Sequence, residues 1–469
     1  MKKFRFLAVV MALCMLFTLV ACTTDEPTVT PTGTNAKTEQ TTEKPDDSTP
    51  PPSGGNEGGN EGGNEGGNEG GNEGGNEGGN EGGTPAEPKY PWVTQGGEGT
   101  EASPFIINQT NFVEFYNYFI QGGWNAFMEA DEYFKLGSDI VLNEGDAATW
   151  ATTPPTTTFN MAMGQFLGHF DGDNHTISGL YVKSAYRAAL FYGVKGGTVK
   201  NLRIVNSYFE TTALTTEYHS AASVAGRSNG GTFENIYSDA IIKYKSETPL
   251  TGVASLMLGG IVGMVEGTNT TTKVSNCVFA GAVDGGNKTI SGGIVSKVNN
   301  VPCTVQITNC LNLGSVSGYI VGSIVGNDLN TNTETGTTIT NCINLSKDVV
   351  RKREGSADWE YRYAWGNTTN GITVNTLIIT EFATHRVLTD AEIANGVITI
   401  DGITRTANNA AVAAKVTVTN MTLAEFLALA GTTNAPAGWY FKTGCIPCPI
   451  EGLEISLAEY LTEWGITLA

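Results

Sequence analysis

The sequence predicts an all-β chain folded as a parallel β-helix, a solenoid in which each turn adds one strand to each of several sheets. The first reason is a four-residue phrase (an apolar residue, any residue, Gly or Asn, then an apolar residue or Cys) that returns at intervals of 22 to 41 residues. Recurrence with periods of this length is typical of solenoids. The second reason is a Gly-edged apolar run that keeps step with the phrase, at 188–193, 224–226, 259–263, 292–296 and 322–326.

The third position of the phrase is always Gly or Asn, the residues that best tolerate a left-handed backbone. We therefore expect a left-handed corner there, flanked by side chains that point inward. The corner residues are Gly179, Asn201, Asn235, Asn276, Asn309 and Asn341. Because rungs stack about 4.8 Å apart, the Asn side chains are predicted to bond to one another as a ladder. The residues after the last three corners are predicted to form an inward column of buried thiols: Cys277, Cys310 and Cys342.

Each Gly-edged run is long enough for one buried strand and too short for a helix. A third run follows the corner at 279–283 and 313–316, so we expect three strands per rung. The longer repeats leave residues for loops inserted on one side of the solenoid, near 209–222, 243–258 and 327–337. Binding residues concentrate on loops that a rigid scaffold positions, and we expect any contact surface there.

The sequence G-G-I-V-G at 259–263, followed by V-S-N-C-V-F-A-G-A-V at 274–283, resembles the GLUG repeat of bacterial surface proteins. The segment F-L-G-H-F-D-G-D-N-H-T-I-S-G-L-Y-V at 166–182 resembles what precedes such repeats, except that Asp173 stands where Asn is more usual. The resemblance covers about residues 90–350. It implies a right-handed parallel β-helix on an exported protein, with a role in surface attachment or glycan recognition, and it carries over no catalytic residue.

The first 89 residues are predicted to export and tether the protein. Residues 1–21 are typical of a lipoprotein signal peptide, with a basic start, an apolar run and L-V-A-C at 19–22, so that Cys22 takes the lipid. Residues 22–89 are rich in Thr and Pro and contain seven copies of G-G-N-E, and they are expected to stay disordered. A flexible chain of this length spans about 45 Å and would act as a tether.

The rest of the chain is predicted to form the β-helix, with a small helical cap at each end. Residues 90–165 would supply the N-terminal cap and first rungs, 166–350 the GLUG-like repeats, and 351–469 the last rungs and the C-terminal cap. Caps are needed because a solenoid otherwise exposes an apolar end with unpaired strand edges. Helix-like patterns that mark the caps occur at 110–120, 421–430 and 455–464.

The charge of the chain limits its partners. It carries 27 basic and 47 acidic side chains, a net charge of −20, and without residues 1–89 the balance is 21 against 33, a net charge near −12. Such an acidic surface argues against nucleic acid and against direct contact with anionic lipid headgroups. We expect the protein on the outer face of a bacterial membrane, at the cell surface, held by the lipid on Cys22.

No catalytic, metal or cofactor site is predicted. The chain has four His residues, so a metal cluster has few donors. The sequence D-G-D-N at 171–174 lacks the later Glu of a calcium loop and is better explained as a turn. Asp239, Asp284 and Asp328 follow comparable strands, but no spacing brings two of them together, as hydrolysis of a polysaccharide would require.

The pair Cys445-Ile-Pro-Cys448 permits three interpretations. A redox motif would need a surrounding βαβ unit, and a zinc site would need a second pair of cysteines. The sequence offers neither feature. We therefore prefer a local disulfide between Cys445 and Cys448 within the C-terminal cap.

Four aromatic residues alternate along one short stretch, Trp359, Tyr361, Tyr363 and Trp365. A period of two places them on one face of a strand, where exposure would make a sugar-stacking platform and burial would make ordinary core, the commoner fate of large aromatics. We predict a surface lipoprotein for adhesion or for binding a glycan or another cell-surface partner. A polysaccharide lyase or glycoside hydrolase is the alternative, and a ligand-free structural protein is the second alternative.

Overall fold

The computed structural model describes most of the chain beyond the predicted tether. The described residues belong to one compact unit, Glu87–Ala469. They are 88–94, 96–121, 130–212, 219–245, 256–286, 289–332, 335–346, 348–351, 359–360, 365–368, 372–379, 382, 397–400, 403–406 and 416–466.

The described chain winds as a parallel solenoid, which confirms the predicted β-helix fold. One turn runs through Thr198–Val205, Tyr208–Thr211, His219–Ala222 and Ala225–Asn229. The next turn begins at Thr232–Ser238, which pairs in parallel with the strand one turn before it. Four sheets therefore run along the solenoid, and we number them in the order in which the chain enters them, with the fourth sheet returning to the first.

The strand bounds follow the four sheets. The first sheet contains Phe105–Ile107, Tyr133–Leu136, Ile140–Val141, His169–Asp171, Thr176–Ser178, Thr198–Val205, Thr232–Ser238, Thr271–Ser275, Val278–Phe279, Thr304–Thr308, Leu311–Asn312, Thr337–Thr340, Ile343–Asn344, Ile372–Ile379 and Val416–Met421. The second contains Tyr181–Ser184, Tyr208–Thr211, Ile241–Tyr244, Ala282–Asp284, Ser315–Gly318, Val349–Arg351 and, antiparallel at its edge, Trp359–Glu360.

The third sheet contains Arg187–Ala188, His219–Ala222, Leu256–Gly259, Thr289–Gly292 and Ile320–Gly322. The fourth contains Met163–Phe166, Phe191–Lys195, Ala225–Asn229, Val262–Val265, Val295–Val298, Val325–Asp328 and Trp365–Thr368. A separate antiparallel pair consists of Val397–Ile400 and Ile403–Thr406.

Apolar side chains fill the interior in rows, because parallel pairing in register stacks equivalent residues. Each row member shields the one below it from water, and the rows join into one continuous core. The row through the middle of the first sheet consists of Phe105, Phe134, Phe170, Val199, Phe233, Val274, Ile307, Ile339 and Val374. None of these side chains is more than 2% exposed.

Asparagine side chains form a hydrogen-bonded ladder along the first sheet. Nδ2 of Asn235 donates to Oδ1 of Asn201 at 3.0 Å. The same bond joins Asn276 to Asn235 at 3.1 Å and Asn309 to Asn276 at 3.1 Å. All four residues have φ at 53°, the left-handed conformation that Asn tolerates. At the N-terminal end, Asn201 donates to Oδ1 of Asp171 at 2.9 Å. All four side-chain amides therefore donate in the same direction, and the series ends on a carboxylate.

The ladder bonds end at Asn309, although the corner itself continues. Asn341 adopts the same conformation, with φ at 52°, but Oδ1 of Asn309 accepts no hydrogen bond among the described residues. Cys277, Cys310 and Cys342 follow three of these corners, are free thiols and lie buried in the core. They form a column of small apolar side chains on the inner side of the corner.

The first copy of the phrase belongs to a different corner from the later copies. Thr176–Ser178 pairs with Arg203–Val205, which places Gly179 level with Asn206. Gly179 forms the predicted left-handed corner, with φ at 75°, but this corner is not in the row of Asn201. The long strand that contains Asn201 continues to a second left-handed corner, at Asn206 with φ at 46°, and two similar corners cannot be distinguished by spacing alone.

The Gly-edged run marks a bend between two strands, not one strand. Thr289–Gly292 is a strand of the third sheet, and the next strand along the chain, Val295–Val298, belongs to the fourth sheet. A Cβ on Gly292 would lie 1.9 Å from the carbonyl oxygen of Val295, and one on Gly293 would lie 2.1 Å from a carbonyl oxygen of the next rung. These two positions therefore accept only glycine. The expectation of three strands per rung is wrong, because each bend separates two strands and a full turn crosses four sheets.

A helix packs at the N-terminal end of the core, as predicted. Helix α1 is Phe112–Gln121. Its Phe115 ring lies 4.9 Å from that of Trp92, and its Tyr116 ring lies 3.8 Å from that of Phe159, measured between ring centroids. Burial of these aromatic rings stabilises the first rungs, which have no preceding turn to stack on.

The C-terminal segment (residues 421–466) packs against the side of the solenoid. It contains α2 (Leu423–Leu427) and α3 (Leu457–Trp464), both within the predicted patterns. A second apolar cluster joins it to outward-facing residues of three successive rungs, which are fully buried. Phe426, Trp439 and Tyr460 of the segment belong to the same apolar cluster as the row made of Val278, Leu311 and Ile343. Among the described residues, no helix is long and apolar enough to cross a membrane.

We expect Asn276→Ala to lower the free energy of unfolding by about 3 kcal/mol, because it removes two ladder bonds and places a Cβ-bearing residue without a side-chain amide at positive φ. Asn276→Gly is the matched control, since it loses the same bonds without the backbone strain, and it should cost about 1 to 2 kcal/mol. Urea unfolding followed by circular dichroism measures both. Wild-type stability in the alanine variant would show that the ladder does not hold the corner.

Candidate functional site

The sites predicted from sequence lie partly outside the described residues. Cys22 does so entirely, as do Tyr361 and Tyr363. Trp359 lies in the antiparallel edge strand of the second sheet, and its side chain is not described. Trp365 is 7% exposed and packs in the core, so this ring does not face solvent and the four aromatics do not form one exposed platform. Parts of the three predicted binding loops, 213–218, 246–255 and 333–334, also lie outside the described residues.

Cys445 and Cys448 are free thiols in the structure, which does not contain the predicted disulfide. The backbone of each cysteine forms an isolated antiparallel β-bridge, Cys445 with Ser456 and Cys448 with Tyr440. Cys448 is directed into the second apolar cluster, whereas Cys445 is half-buried. Burial raises the pKa of Cys448 to about 12, so this thiol stays protonated and unreactive at neutral pH.

The acidic turn at 171–174 is structural. Oδ1 of Asp171 accepts the backbone N–H of Asp173 at 2.9 Å, besides the first amide of the ladder. Asp173 itself lies 3.0 Å from Nζ of Lys135, and it has φ at 48°. No group of three or more possible metal ligands occurs among the described residues. The turn therefore starts the ladder.

Acidic residues of the second sheet are engaged in ion pairs. Nζ of Lys183 lies 3.0 Å from Oε1 of Glu210, and Nζ of Lys243 lies 3.1 Å from Oδ2 of Asp284. Glu210 is 1% exposed and accepts a 2.5 Å hydrogen bond from the Tyr208 hydroxyl. Burial and this bond raise the pKa of Tyr208. The row is an alternation of paired charges, and it does not present a free acid and base to a substrate.

Asp239 and Asp328 are enclosed by hydrogen bonds from the backbone and side chains around them. Oδ1 of Asp239 accepts a hydrogen bond from the backbone N–H of Asn206 at 2.6 Å, and burial raises the pKa of Asp239 to about 6. Asp328 is fully buried and accepts bonds from the Thr337 hydroxyl at 2.9 Å and the Asn330 amide at 3.3 Å. Both carboxylates satisfy donors that would otherwise be unpaired inside the fold.

A different group of residues forms the candidate site on the outside of the solenoid. Arg187 starts a strand of the third sheet, and Tyr192 and Arg227 lie on two adjacent strands of the fourth. The guanidinium carbons of Arg187 and Arg227 lie 4.3 and 5.7 Å from the centroid of the Tyr192 ring, within the range of cation–π attraction. Nη1 of Arg227 also lies 2.5 Å from Oε1 of Glu266. We call these four residues the arginine–tyrosine cluster.

Glycine lets the two strands approach closely enough to form the cluster. Gly226 lies level with Tyr192, because Ala225 pairs with Phe191. A Cβ on Gly226 would lie 2.9 Å from Cβ and Cδ of Arg187, closer than real side chains pack. The Arg187 side chain fills the space that this glycine leaves, and its charged end is thereby directed onto the tyrosine ring.

The cluster lies at one end of a narrow seam between the outer faces of the third and fourth sheets. The hydroxyl of Ser220 bridges the seam by donating to the carbonyl of Gly226 at 2.7 Å. Farther along, Met257, Met264 and Ile290 form a small apolar cluster that is almost fully buried. The seam therefore combines an apolar strip with a positively charged end.

Tyr186, the residue before Arg187, carries an exposed aromatic ring. The residue is 53% exposed. Its ring lies 5.5 Å from that of His219, and its carbonyl accepts the amide of Ser220 at 3.3 Å. The ring is thus held next to the start of the seam with much of its surface open to solvent.

Comparisons with known proteins give no family. No family model matches the chain, and no curated protein is similar to it. Among solved structures, the chain is similar to a Bacteroides ovatus protein described as a "putative immunoglobulin A1 protease", at 19% identity and a TM-score of 0.34, over 61% of this chain and 87% of that chain. This comparison assigns no function, and the resemblance to GLUG repeats stays a prediction.

We expect the stability of the wild-type protein to fall relative to Asp239→Asn as the pH rises from about 4 to 7. The pKa of Asp239 is raised from 3.8 to about 6 by burial, because the folded protein disfavours the ionised carboxylate. The contribution of Asp239 to the free energy of unfolding is therefore fully present below the pKa of the unfolded chain and is lost as the pH rises through the pKa of the folded protein. The difference corresponds to about 3 kcal/mol. Asn keeps an oxygen for the Asn206 amide, so the variant isolates the charge. Urea unfolding midpoints that change with pH by the same amount in both proteins would contradict a raised pKa of Asp239.

Proposed function

We propose that the chain is an exported lipoprotein that uses its β-helix to bind an extracellular glycan. The L-V-A-C sequence ending at Cys22 supports export and lipid attachment, and the G-G-N-E copies support a long tether. A tethered solenoid presents its outer faces away from the membrane. Such a protein is suited to adhesion, through a glycan or another partner on a neighbouring surface.

The observation that carries the proposal is the exposed ring of Tyr186, which directly precedes Arg187 of the arginine–tyrosine cluster in the chain. Sugar rings stack their apolar C–H faces on exposed aromatic rings, while guanidinium groups donate hydrogen bonds to oxygen atoms. Two consecutive residues, Tyr186 and Arg187, carry an aromatic ring and a guanidinium group on the outside of the solenoid. This position leaves the packed interior of the rungs undisturbed by a ligand.

The hydrolase or lyase alternative has less support among the described residues. Cleavage of a glycosidic bond needs two carboxyl groups on either side of the substrate, or a base beside an activated carbon. Glu210, Asp284 and Asp328 are each held by an ion pair or by buried hydrogen bonds. Release of reducing ends or of unsaturated sugars from polysaccharides, measured over hours, would favour the enzyme over the binding protein.

We expect the full chain, solubilised in detergent, to retain saccharides on a glycan array and to lose most of this retention in Tyr186→Ala. The reason is the loss of a stacking surface, which contributes about 1 kcal/mol or more per ring. Tyr440→Ala is the matched control, because this ring is 45% exposed on the C-terminal segment. Equal retention by both variants would remove Tyr186 from the site. Retention of no saccharide by the wild type would favour the ligand-free structural protein.

The lipid anchor yields a separate prediction. Cys22→Ala removes the thiol that would carry the diacylglycerol, so the protein should either leave the membrane fraction or persist as uncleaved precursor. Palmitate labelling of cells that express each form measures the attachment. Label that remains in the variant would show that another residue is acylated and that the proposed anchor is wrong.

A further inference from the structure

The arginine–tyrosine cluster contains more positive than negative charge. It brings two guanidinium groups together with one carboxylate, that of Glu266, in a chain with a net charge of −20. Burial lowers the pKa of Arg187, and the neighbouring charge of Arg227 lowers it further. Arginine nevertheless stays protonated in proteins. The seam therefore carries a permanent positive charge, although the chain as a whole is negatively charged.

Arg187 has hydrogen-bonding capacity that the fold does not use. The residue is 7% exposed, and its Nε has no hydrogen-bond partner among the described residues. The Tyr192 ring covers the face of the guanidinium, but a ring face accepts none of the in-plane N–H bonds. A buried charged donor without an acceptor is costly, and a negative charge close to the guanidinium would offset part of that cost by electrostatic attraction.

Arg227 is the accessible member of the pair. Its side chain is 23% exposed, and that of Glu266 is 22% exposed. The bond to Glu266 engages Nη1, whereas a guanidinium has five N–H donors in a planar fork. An anion can approach the remaining edge of Arg227 from solvent, with Arg187 supplying a second positive charge behind it.

We infer that Arg187 and Arg227 bind the carboxylate or sulfate group of an acidic saccharide. This inference rests on the proposed function and names the class of its ligand. Carboxylate and sulfate oxygens match the geometry of a guanidinium fork. The sugar ring next to the charged group would stack on Tyr186, which directly precedes Arg187 in the chain. A neutral saccharide would gain the stacking but would leave both guanidinium groups without an anion.

The inference is tested by titration calorimetry of the full chain with three hexasaccharides: oligogalacturonate, which carries carboxylates, chondroitin sulfate, which carries sulfates, and neutral mannohexaose. We expect at least one acidic hexamer to bind about tenfold or more tightly than the neutral one. Its affinity should fall as NaCl is raised from about 50 to about 500 mM, because salt screens charge attraction at a partly exposed site. The preferred acidic hexamer identifies the charged group.

Variants separate the arginine site from general charge attraction. Arg227→Gln should weaken binding of the acidic hexamer about tenfold or more, and Arg227→Lys, which keeps the charge but loses the planar fork, should fall between it and the wild type. Lys200→Gln is the matched control, since it removes the same charge from the first sheet, where Lys200 is 43% exposed, and it should change the affinity less than about twofold. Arg187→Gln is measured as well, with circular dichroism to check its fold.

The outcomes distinguish the two proposals. Equal affinity for acidic and neutral hexamers, or unchanged affinity in Arg227→Gln, overturns the anion site and leaves glycan binding in place. An equal loss in Lys200→Gln also overturns it, because the attraction would then come from the whole surface. Failure of every hexamer and of every arrayed saccharide to bind overturns the proposed function together with the inference.

Discussion

The left-handed asparagine corner is the constraint on which the rest of the solenoid depends. Each corner turns the first sheet at the same point of the rung, and each ladder bond links that corner to the rung before it. All these bonds point one way and end on the carboxylate of Asp171, so the amide dipoles reinforce one another. A slip of one residue would break the bonds and turn the inward row of Val274 toward solvent.

Because the first sheet fixes the register between successive turns, it also determines which side chains come together on the third and fourth sheets. Arg187 and Arg227 belong to successive turns, and they reach the same tyrosine ring because Gly226 falls level with Tyr192. In two later turns the bend that joins the third and fourth sheets has no room for a Cβ, because carbonyl oxygens lie about 2 Å from that position at Gly260 and Gly293. The candidate site is therefore a consequence of backbone geometry, with side chains placed where neighbouring strands leave room.

The sequence predicts the fold well because its signals are local and repeated. The corner needs Asn or Gly, and the rows need apolar residues, so both recur with every turn. The apolar run at 292–296 predicts one strand, although the chain bends there, because a break at glycine does not interrupt the apolar pattern. The arginine–tyrosine cluster could not be found from spacing, since it joins Arg187 to a residue of the next turn. The one local signal is an arginine at the edge of two apolar runs, Arg187 before 188–193 and Arg227 after 224–226.

Recognition of an acidic saccharide at the outer seam is the central functional claim. Its most direct test is a crystal structure of the chain with a bound oligogalacturonate or chondroitin sulfate hexamer, whichever binds more tightly. We predict a carboxylate or sulfate oxygen within hydrogen-bond distance (about 2.7 to 3.2 Å) of the Arg227 guanidinium, on the side that faces Arg187, and a sugar ring against Tyr186. A saccharide bound elsewhere on the solenoid, with the seam unchanged, would contradict the claim.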